Sequence, residues 1–431
     1  MRALAAAWLV GGAGAAALAH QGAAGPAGAA RGRGGAGANA VEPAGFRVVM
    51  IDGALAARSV RLLSLEERSA TILDEQQRRR QIDRREILGL IVPVPGPEES
   101  VPRVAPAEVA PGLVALAAGE RFTGDVAESE APAETLLWNH GVFGRMSAPL
   151  DAVRGLARPG AARALREGVT GGGGAAATDT VHLTNGDRLE GFLVALGPVV
   201  KFESDGAELE LPLERLAAAR LSTPAELPAG SWIWMSDGSV ARVARATIDP
   251  AGRVSLTLAG GQAVSVEWWQ VRGLLSDASR LRALASLEVV SQGAGAGGGA
   301  GRRFVPPMEV VEEADEEPDP HGVVGAALGI LDVRLPGPMT VTWALPTGAS
   351  RVAFTAELEA GFEPWGDCEL VVRDGETEVA RKRLHGGQPS AEIAVDVRGA
   401  ALTVAVEAGR FGPIRDRVFL RRGMVLAGGG E

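Results

Sequence analysis

Four stretches of the chain share one alternation of apolar and polar positions. "FRVVMIDGALAARSVRLL" opens the first at Phe46, "LVALAAGERFTGDVAE" the second at Leu113, "TVHLTNGDRLEGFLVA" the third at Thr180, and "WIWMSDGSVARVARAT" the fourth at Trp232. Each begins with a short alternating run, turns at a step holding Gly53, Gly119, Gly186 or Gly238, and closes on apolar text at Leu90, Leu156, Leu221 or Leu274. Alternation interrupted by Asn-Gly or Asp-Gly predicts a tight hairpin. Turn and closing leucine lie about 36 residues apart in every copy, and a fixed period marks a repeated unit. A sheet of short strands with one apolar face must curl or pair to hide it. Segments 46–91, 113–158, 180–222 and 231–276 are therefore expected to be four small β-barrels.

The text between repeats changes character. Val92–Gly112 is proline-rich and Arg166–Thr180 is glycine-rich, as in linkers. The joint Thr223–Ser231 is short, so the third and fourth units are expected to pack as a pair. Leu281, Leu284 and Leu287 follow a Ser/Asp cap at helical spacing, which predicts a short helix over 277–291. Residues 292–322, with "EVVEEADEEPDPHG", predict an acidic flexible linker. From Gly329 the pattern becomes six strand-like runs, "MTVTWAL", "RVAFTAEL", "CELVVRDG", "TEVARKRL", "AEIAVDV" and "LTVAVEAG". Strands so spaced, without intervening helix, predict an antiparallel sandwich over 323–427.

Two resemblances attach to these motifs. The pattern "VHLTNGDRLEGFL … VKFES … ELPLERLAAARL" resembles Sm-like and SH3-like small barrels, most closely in 180–222, then in 232–276, and more weakly in 113–158 and 46–91. The C-terminal order Leu345-Pro346, Gly348, Phe354, Ala356, Asp374-Gly375, Val395-Asp396-Val397, Gly399, Asp416 and Val418 resembles the NPCBM family, the putative carbohydrate-binding module. That resemblance implies a jelly-roll sandwich and, in some members, sugar binding at loop ends. Phe419 stands where the family usually has Trp, and the approach to the core reads "GILDVRLPG".

Composition narrows the role. The chain has 53 acidic and 43 basic residues, a net charge of −10, which argues against a nucleic-acid partner. Its one cysteine, Cys368, excludes an intrachain disulfide. Arg2, the apolar run to Ala16 and Ala17-Leu18-Ala19 read as a signal peptide over 1–19, followed by an Ala/Gly segment to residue 45. Export to the periplasm or beyond is thus expected, with no membrane span after cleavage.

Candidate chemistry is sparse. Trp343 alternates into a core, and Trp232, Trp234 and Trp268 read as core or inter-barrel contacts. The run Asp74–Glu86 reads as a solvated mixed-charge surface, and the acidic linker lacks calcium-loop spacing. No catalytic motif, metal set or cofactor loop is present. Sugar sites pair an aromatic platform with polar groups for the hydroxyls. The loop 359–369 offers Phe362, Glu363, Trp365 and Asp367, and 409–417 offers Phe411, Arg415 and Asp416. If the loops converge they form a shallow polyol site; otherwise Trp365 plugs an edge and Arg415 pairs with Asp416. The expectation is an exported, non-enzymatic scaffold carrying a carbohydrate-binding module. A purely protein-binding module of a bacterial envelope assembly, and a glycoside-processing enzyme, are the alternatives.

Overall fold

The computed structural model describes residues 45–93, 110–161, 177–226, 228–294, 307–311, 328–361, 365–412 and 416–428. The expected signal peptide, nearly all of the segment to residue 45, and most of the linker text lie outside these residues. The described fold is mainly β, and among the described residues no helix is long and apolar enough to cross a membrane.

Four units in succession have the same five strands and the same pairing. The first holds β1 (Phe46–Asp52), β2 (Ala57–Leu65), β3 (Ser69–Leu73), β4 (Arg79–Asp83) and β5 (Ile87–Ile91). The second holds β6 (Gly112–Leu116), β7 (Arg121–Val126), β8 (Thr135–His140), β9 (Gly144–Pro149) and β10 (Val153–Ala157). The third holds β11 (Asp179–Leu183), β12 (Arg188–Ala195), β13 (Val199–Ser204), β14 (Ala207–Pro212) and β15 (Leu216–Arg220). The fourth holds β16 (Ser231–Met235), β17 (Val240–Ile248), β18 (Arg253–Leu258), β19 (Ala263–Glu267) and β20 (Val271–Leu275). In each, the first four strands form a meander, one 3-10 turn follows, and the fifth strand returns antiparallel to the first. The first–fifth pairing carries a register shift in all four units, which bends the sheet.

Three recurrent backbone bonds hold the first turn. Gly119, Gly186 and Gly238 donate to Leu116, Leu183 and Met235 three residues back, and those residues donate in turn to Glu120, Asp187 and Ser239. The next residue, Ala117, Thr184 or Ser236, donates to the last carbonyl of the 3-10 turn, on Ala152, Arg215 or Gln270. The glycines sit at φ of 97°, 92° and 88°, where a side chain is strained. The first unit departs from this. Its corresponding donor is Leu55, bonded to Asp52 with φ 62°, and not Gly53 as the spacing suggests. Leu55 is only 4% exposed, so burial, worth roughly 1.5–3 kcal/mol, offsets a left-handed cost of about 1–2 kcal/mol.

The fifth strand is an edge of each unit's own sheet, and edges pair between units. β5 joins β20 with Leu90 opposite Leu274, and β10 joins β15 with Leu156 opposite Ala219. The register is the same at both joints: equivalent residues meet at the centre. Both joints also end on the same reciprocal bonds, Val92 to Arg272 and Ser276 to Leu88 in one, Arg158 to Ala217 and Leu221 to Arg154 in the other. Each joint thus has local two-fold symmetry. The partners are units one and four, and units two and three. The expected pairing of the third and fourth units is therefore corrected: a short connection in sequence is outweighed by matching of open strand edges.

The C-terminal part is two packed sheets. Its strands are β21 (Leu281–Ala283), β22 (Val289–Ala294), β23 (Glu309–Val311), β24 (Asp332–Pro336), β25 (Met339–Ala344), β26 (Ala349–Leu358), β27 (Asp367–Asp374), β28 (Thr377–His385), β29 (Ser390–Asp396), β30 (Ala401–Ala408) and β31 (Arg417–Ala427). One sheet runs β23-β24-β31-β26-β29 with β21 added to β31, and the other runs β22-β25-β30-β27-β28. Trp343, Phe354, Leu370 and Leu420 fill the space between them. The six strand runs read from the sequence lie in β25 to β30. The helix expected over 277–291 is absent: the segment forms β21, a 3-10 turn at Leu284–Ser286 and the start of β22. Leu281 pairs with Leu426 and Leu284 seats in the core beside Gly423, so strand pairing overrides the helical spacing. The sandwich therefore begins before residue 323, and Gln292–Ala294 and Glu309–Val311 belong to it and not to a linker.

A further apolar cluster joins the sandwich to the repeats. Leu281, Leu328, Ile330, Ala353 and Met424 pack against Ile51, Leu55, Leu88, Trp232 and Leu275. Leu328 lies where a Cβ on Gly89 would come within 2.8 Å of its Cδ1, so the glycine of the closing strand admits it. Trp232 and Trp343 are buried, and Trp268 packs on Phe46 at 5.4 Å between the fourth and first units.

The turn analysis has a direct test. Gly186 meets nothing within 4 Å at its Cβ position, so Gly186→Ala isolates backbone strain. Its expected cost is roughly 1–2 kcal/mol, read as a lowered thermal or urea midpoint.

Candidate functional site

At one end of the sandwich β27 begins, β28 and β30 end, and β31 begins close to Asp416. Asp367 ties them together. Its carboxylate accepts two bonds from Arg383, from Nε and Nη2 at 2.7 Å each, and a third from the Arg410 amide at 3.0 Å. Its carbonyl accepts from Gly409 at 2.9 Å, and the approach is so close that a Cβ on Gly409 would lie 2.1 Å from that oxygen. Hydrogen bonds from Arg383 outweigh desolvation and hold the Asp367 carboxyl below the usual carboxylate range. Asp416 is buried beside it. Its Oδ1 lies 3.5 Å from the Asp367 amide and its carbonyl accepts from Gly337 at 2.8 Å, while its Oδ2 has no partner among the described residues. Burial, with Asp367 as a neighbouring negative charge, pushes the Asp416 carboxyl up to about 6. The same surroundings, burial first, push the Cys368 thiol up to about 12, so it is an inert core residue.

Two aromatic rings stand out from this base. Trp365, two residues before Asp367, is 63% exposed, and Phe411, next to the Arg410 amide that bonds Asp367, is 56% exposed. The Arg410 guanidinium lies 5.7 Å from the Phe411 ring centroid. Trp365 thus does not plug the sandwich edge. Asp367 and Asp416 were read as polar contacts for a ligand, and this is corrected: both are 1% exposed and build the support under the rings. Phe362, Glu363 and Arg415 lie outside the described residues. Sequence reading missed Arg383 and Arg410. Arg383 could have been found by counting the β27–β28 hairpin back from Asp374-Gly375, which sets Glu369 opposite Arg383 and Asp367 beside it. Arg410 contributes its backbone amide, for which no side-chain signal exists.

Elsewhere, serine, histidine and aspartate meet where the second and fourth units touch. His140 Nε2 lies 2.8 Å from Ser239 Oγ and 3.2 Å from Asp237 Oδ2, while Nδ1 accepts the amides of Val142 and Phe143 at 2.9 Å each. That network places the proton on Nε2, the nitrogen facing the serine, so the imidazole is no base for it. Ser239 is also fully buried. The trio is a knot between units. Burial alone would raise Asp237, but hydrogen bonds from His140, the Ser239 amide and Thr123 hold it down at about 2. Among the described residues no group of three His, Cys, Asp or Glu side chains could hold a metal ion.

No family model and no curated protein matches the chain. Among solved structures it is similar to the CBM51-2 and INT domains of Clostridium perfringens ZmpB, at 11% identity and a TM-score of 0.26, over 46% of this chain and 40% of that one. The chain thus spans less than half the length of that structure. It is also similar to CBM51 from Clostridium perfringens GH95 in complex with methyl-galactose, at 11% identity and a TM-score of 0.26, over 34% of this chain and 99% of that one. TmCBM61 in complex with β-1,4-galactotriose is 23% identical with a TM-score of 0.16, over 23% of this chain and 72% of that one. Overall similarity at these scores specifies no ligand.

Two titrations follow. Asp416 is neutral at low pH; the stability this gives is complete below about pH 4 and is lost as pH rises through about 6. Asp416→Asn should therefore stabilise the protein by roughly 1–3 kcal/mol at pH 8 and little at pH 4, seen in urea midpoints. Asp237 has the opposite sign: its contribution is present above about pH 4 and is lost as pH falls toward about 2. Asp237→Asn should lower the midpoint at pH 6 by roughly 1–2 kcal/mol and flatten its fall between pH 4 and pH 2.

Proposed function

We propose that the chain is an exported, non-enzymatic scaffold whose C-terminal sandwich, an NPCBM-like module, binds carbohydrate at the end carrying Trp365 and Phe411. The observation that carries this reading is the pair of exposed rings set on a buried polar base. Large aromatic side chains left in water on a soluble domain mark a contact surface, and a flat ring offers the apolar face of a pyranose a stacking partner. The bidentate Arg383–Asp367 pair and the Gly409 contact hold the backbone beside both rings, which lowers the ordering cost of binding. The Arg410 guanidinium supplies donors for hydroxyls.

We further read the four repeated units as Sm-like or SH3-like barrels that serve as a rigid base. Their role is spacing and attachment, and the module's role is recognition. The signal-peptide-like text of residues 1–19 supports a periplasmic or extracellular setting, where glycans and envelope proteins are the available partners.

The test is a glycan array probed with the full chain, followed by calorimetry on a retained glycan. Trp365→Ala and Phe411→Ala should each weaken binding about tenfold, the worth of one aromatic contact, without moving the thermal midpoint. Retention of no glycan, or equal retention by both variants, overturns the reading.

A further inference from the structure

The first unit carries a charge arrangement that its fold does not require. β1 and β2 pair so that Arg47 stands directly opposite Arg61. Arg61 is opposite Leu73 on β3, and Leu73 is opposite Arg79 on β4. One row across four strands thus bears three arginines, all exposed. Among the described residues none of the three has an ion-pair or hydrogen-bond partner. Among the acids of this unit, Asp52 pairs with Arg58, Asp74 with Arg78 and Glu67 with Arg245, and Asp83 accepts from the Arg85 amide. The same face otherwise presents Ser59, Thr71 and Gln81, with Asp83 four positions along β4 from Arg79.

Like charges directly opposite on neighbouring strands work against a sheet. The chain as a whole has acids in excess, 53 against 43 basic residues, so unpaired neighbouring arginines are a local exception. Strand spacing puts Arg47 and Arg61 about 5 Å apart at the backbone and Arg79 about 10 Å further on. Arginine forks grip planar or tetrahedral oxyanions with two parallel hydrogen bonds. A row at such spacing suits a polymer with carboxylate or sulfate groups recurring along it. Single-stranded nucleic acid wants aromatic platforms between the cations, and the row has none: Phe46, the nearest ring on β1, is packed on Trp268.

We propose that the Arg47–Arg61–Arg79 row of the first unit is a binding face for an anionic polysaccharide lying across the strands. This site is separate from the sandwich end and stands or falls independently of it. Because one apolar cluster ties the first unit to the sandwich, a polymer held here stays close to the module.

The experiment is affinity electrophoresis of the full chain through gels containing polygalacturonate, heparin or neutral galactan, each scored against a polymer-free gel. Polygalacturonate carries carboxylates alone and heparin adds sulfates to its carboxylates, so the two gels tell whether carboxylate suffices or sulfate is needed. The row variant Arg47→Gln/Arg61→Gln/Arg79→Gln is compared with a charge-matched control, Arg188→Gln/Arg215→Gln/Arg398→Gln, placed on other surfaces. One of the two polyanions should retard the wild type and the control, with retardation abolished by about 0.5 M salt. The row variant should bind about tenfold more weakly or worse, with a thermal midpoint equal to or above wild type, since a repulsion has been removed. Equal retardation of row variant and wild type overturns the proposal. So does retardation by neither polyanion, or equal retardation by neutral galactan.

Discussion

An unpaired strand edge is a row of donors and acceptors looking for a partner, and this molecule is organised by how it satisfies that demand. Each five-stranded unit leaves its last strand with one open side. Two such sides meet antiparallel, in identical register, at Leu90–Leu274 and at Leu156–Ala219. Small residues make the meeting possible: Gly89 and Gly273 in one joint, Gly155, Ala157, Ala218 and Ala219 in the other. The opposite edges remain outermost and are blunted by charge, with Arg79 and Arg80 on β4 and Glu208 and Glu210 on β14. Edge chemistry therefore decides which units associate, and the apolar cluster that receives the sandwich forms only because units one and four are side by side.

The sandwich end shows a related division of labour. Its buried polar residues hold backbone in place, and its exposed residues are rings. Asp367 collects bonds from β28 and from the loop after β30, and Asp416 lies buried beneath with its carboxyl pushed up to about 6. Groups with the most distinctive chemistry are the least accessible, and the side chains left to solvent include the rings of Trp365 and Phe411.

Much of this was legible before any coordinates. Periodicity two and polar turns located strands in all four units, and alternation gave β25 to β30. The closing leucine expected at Leu221, however, falls just past β15, where Ala219 takes the place that Leu90, Leu156 and Leu274 hold in the other units. Reading stopped where local text and tertiary pairing disagree. Leu281, Leu284 and Leu287 have helical spacing, yet Leu281 is used as a strand residue because β31 offers a partner. Gly53 stands at the expected turn position, yet Leu55 takes the left-handed conformation because its side chain has a pocket. Which units pair depends on matching edges far apart in sequence, and no window of text carries that. At the sandwich end the aromatic residues were visible by composition, whereas the bonds of Asp367 needed a hairpin register and a backbone amide.

The partnership of the first unit with the fourth, around that of the second with the third, makes the connectivity nested. An inner pair can close as soon as residue 220 has left the ribosome, while β5 must wait for β20. At ordinary elongation rates that interval is roughly 10–40 s. For that time Gly89, Leu90 and Ile91 present an open apolar edge, along with the groove that Leu328 later fills. The joint between the first and fourth units is thus the longest exposed during synthesis, and a holding factor for nascent chains would act there first.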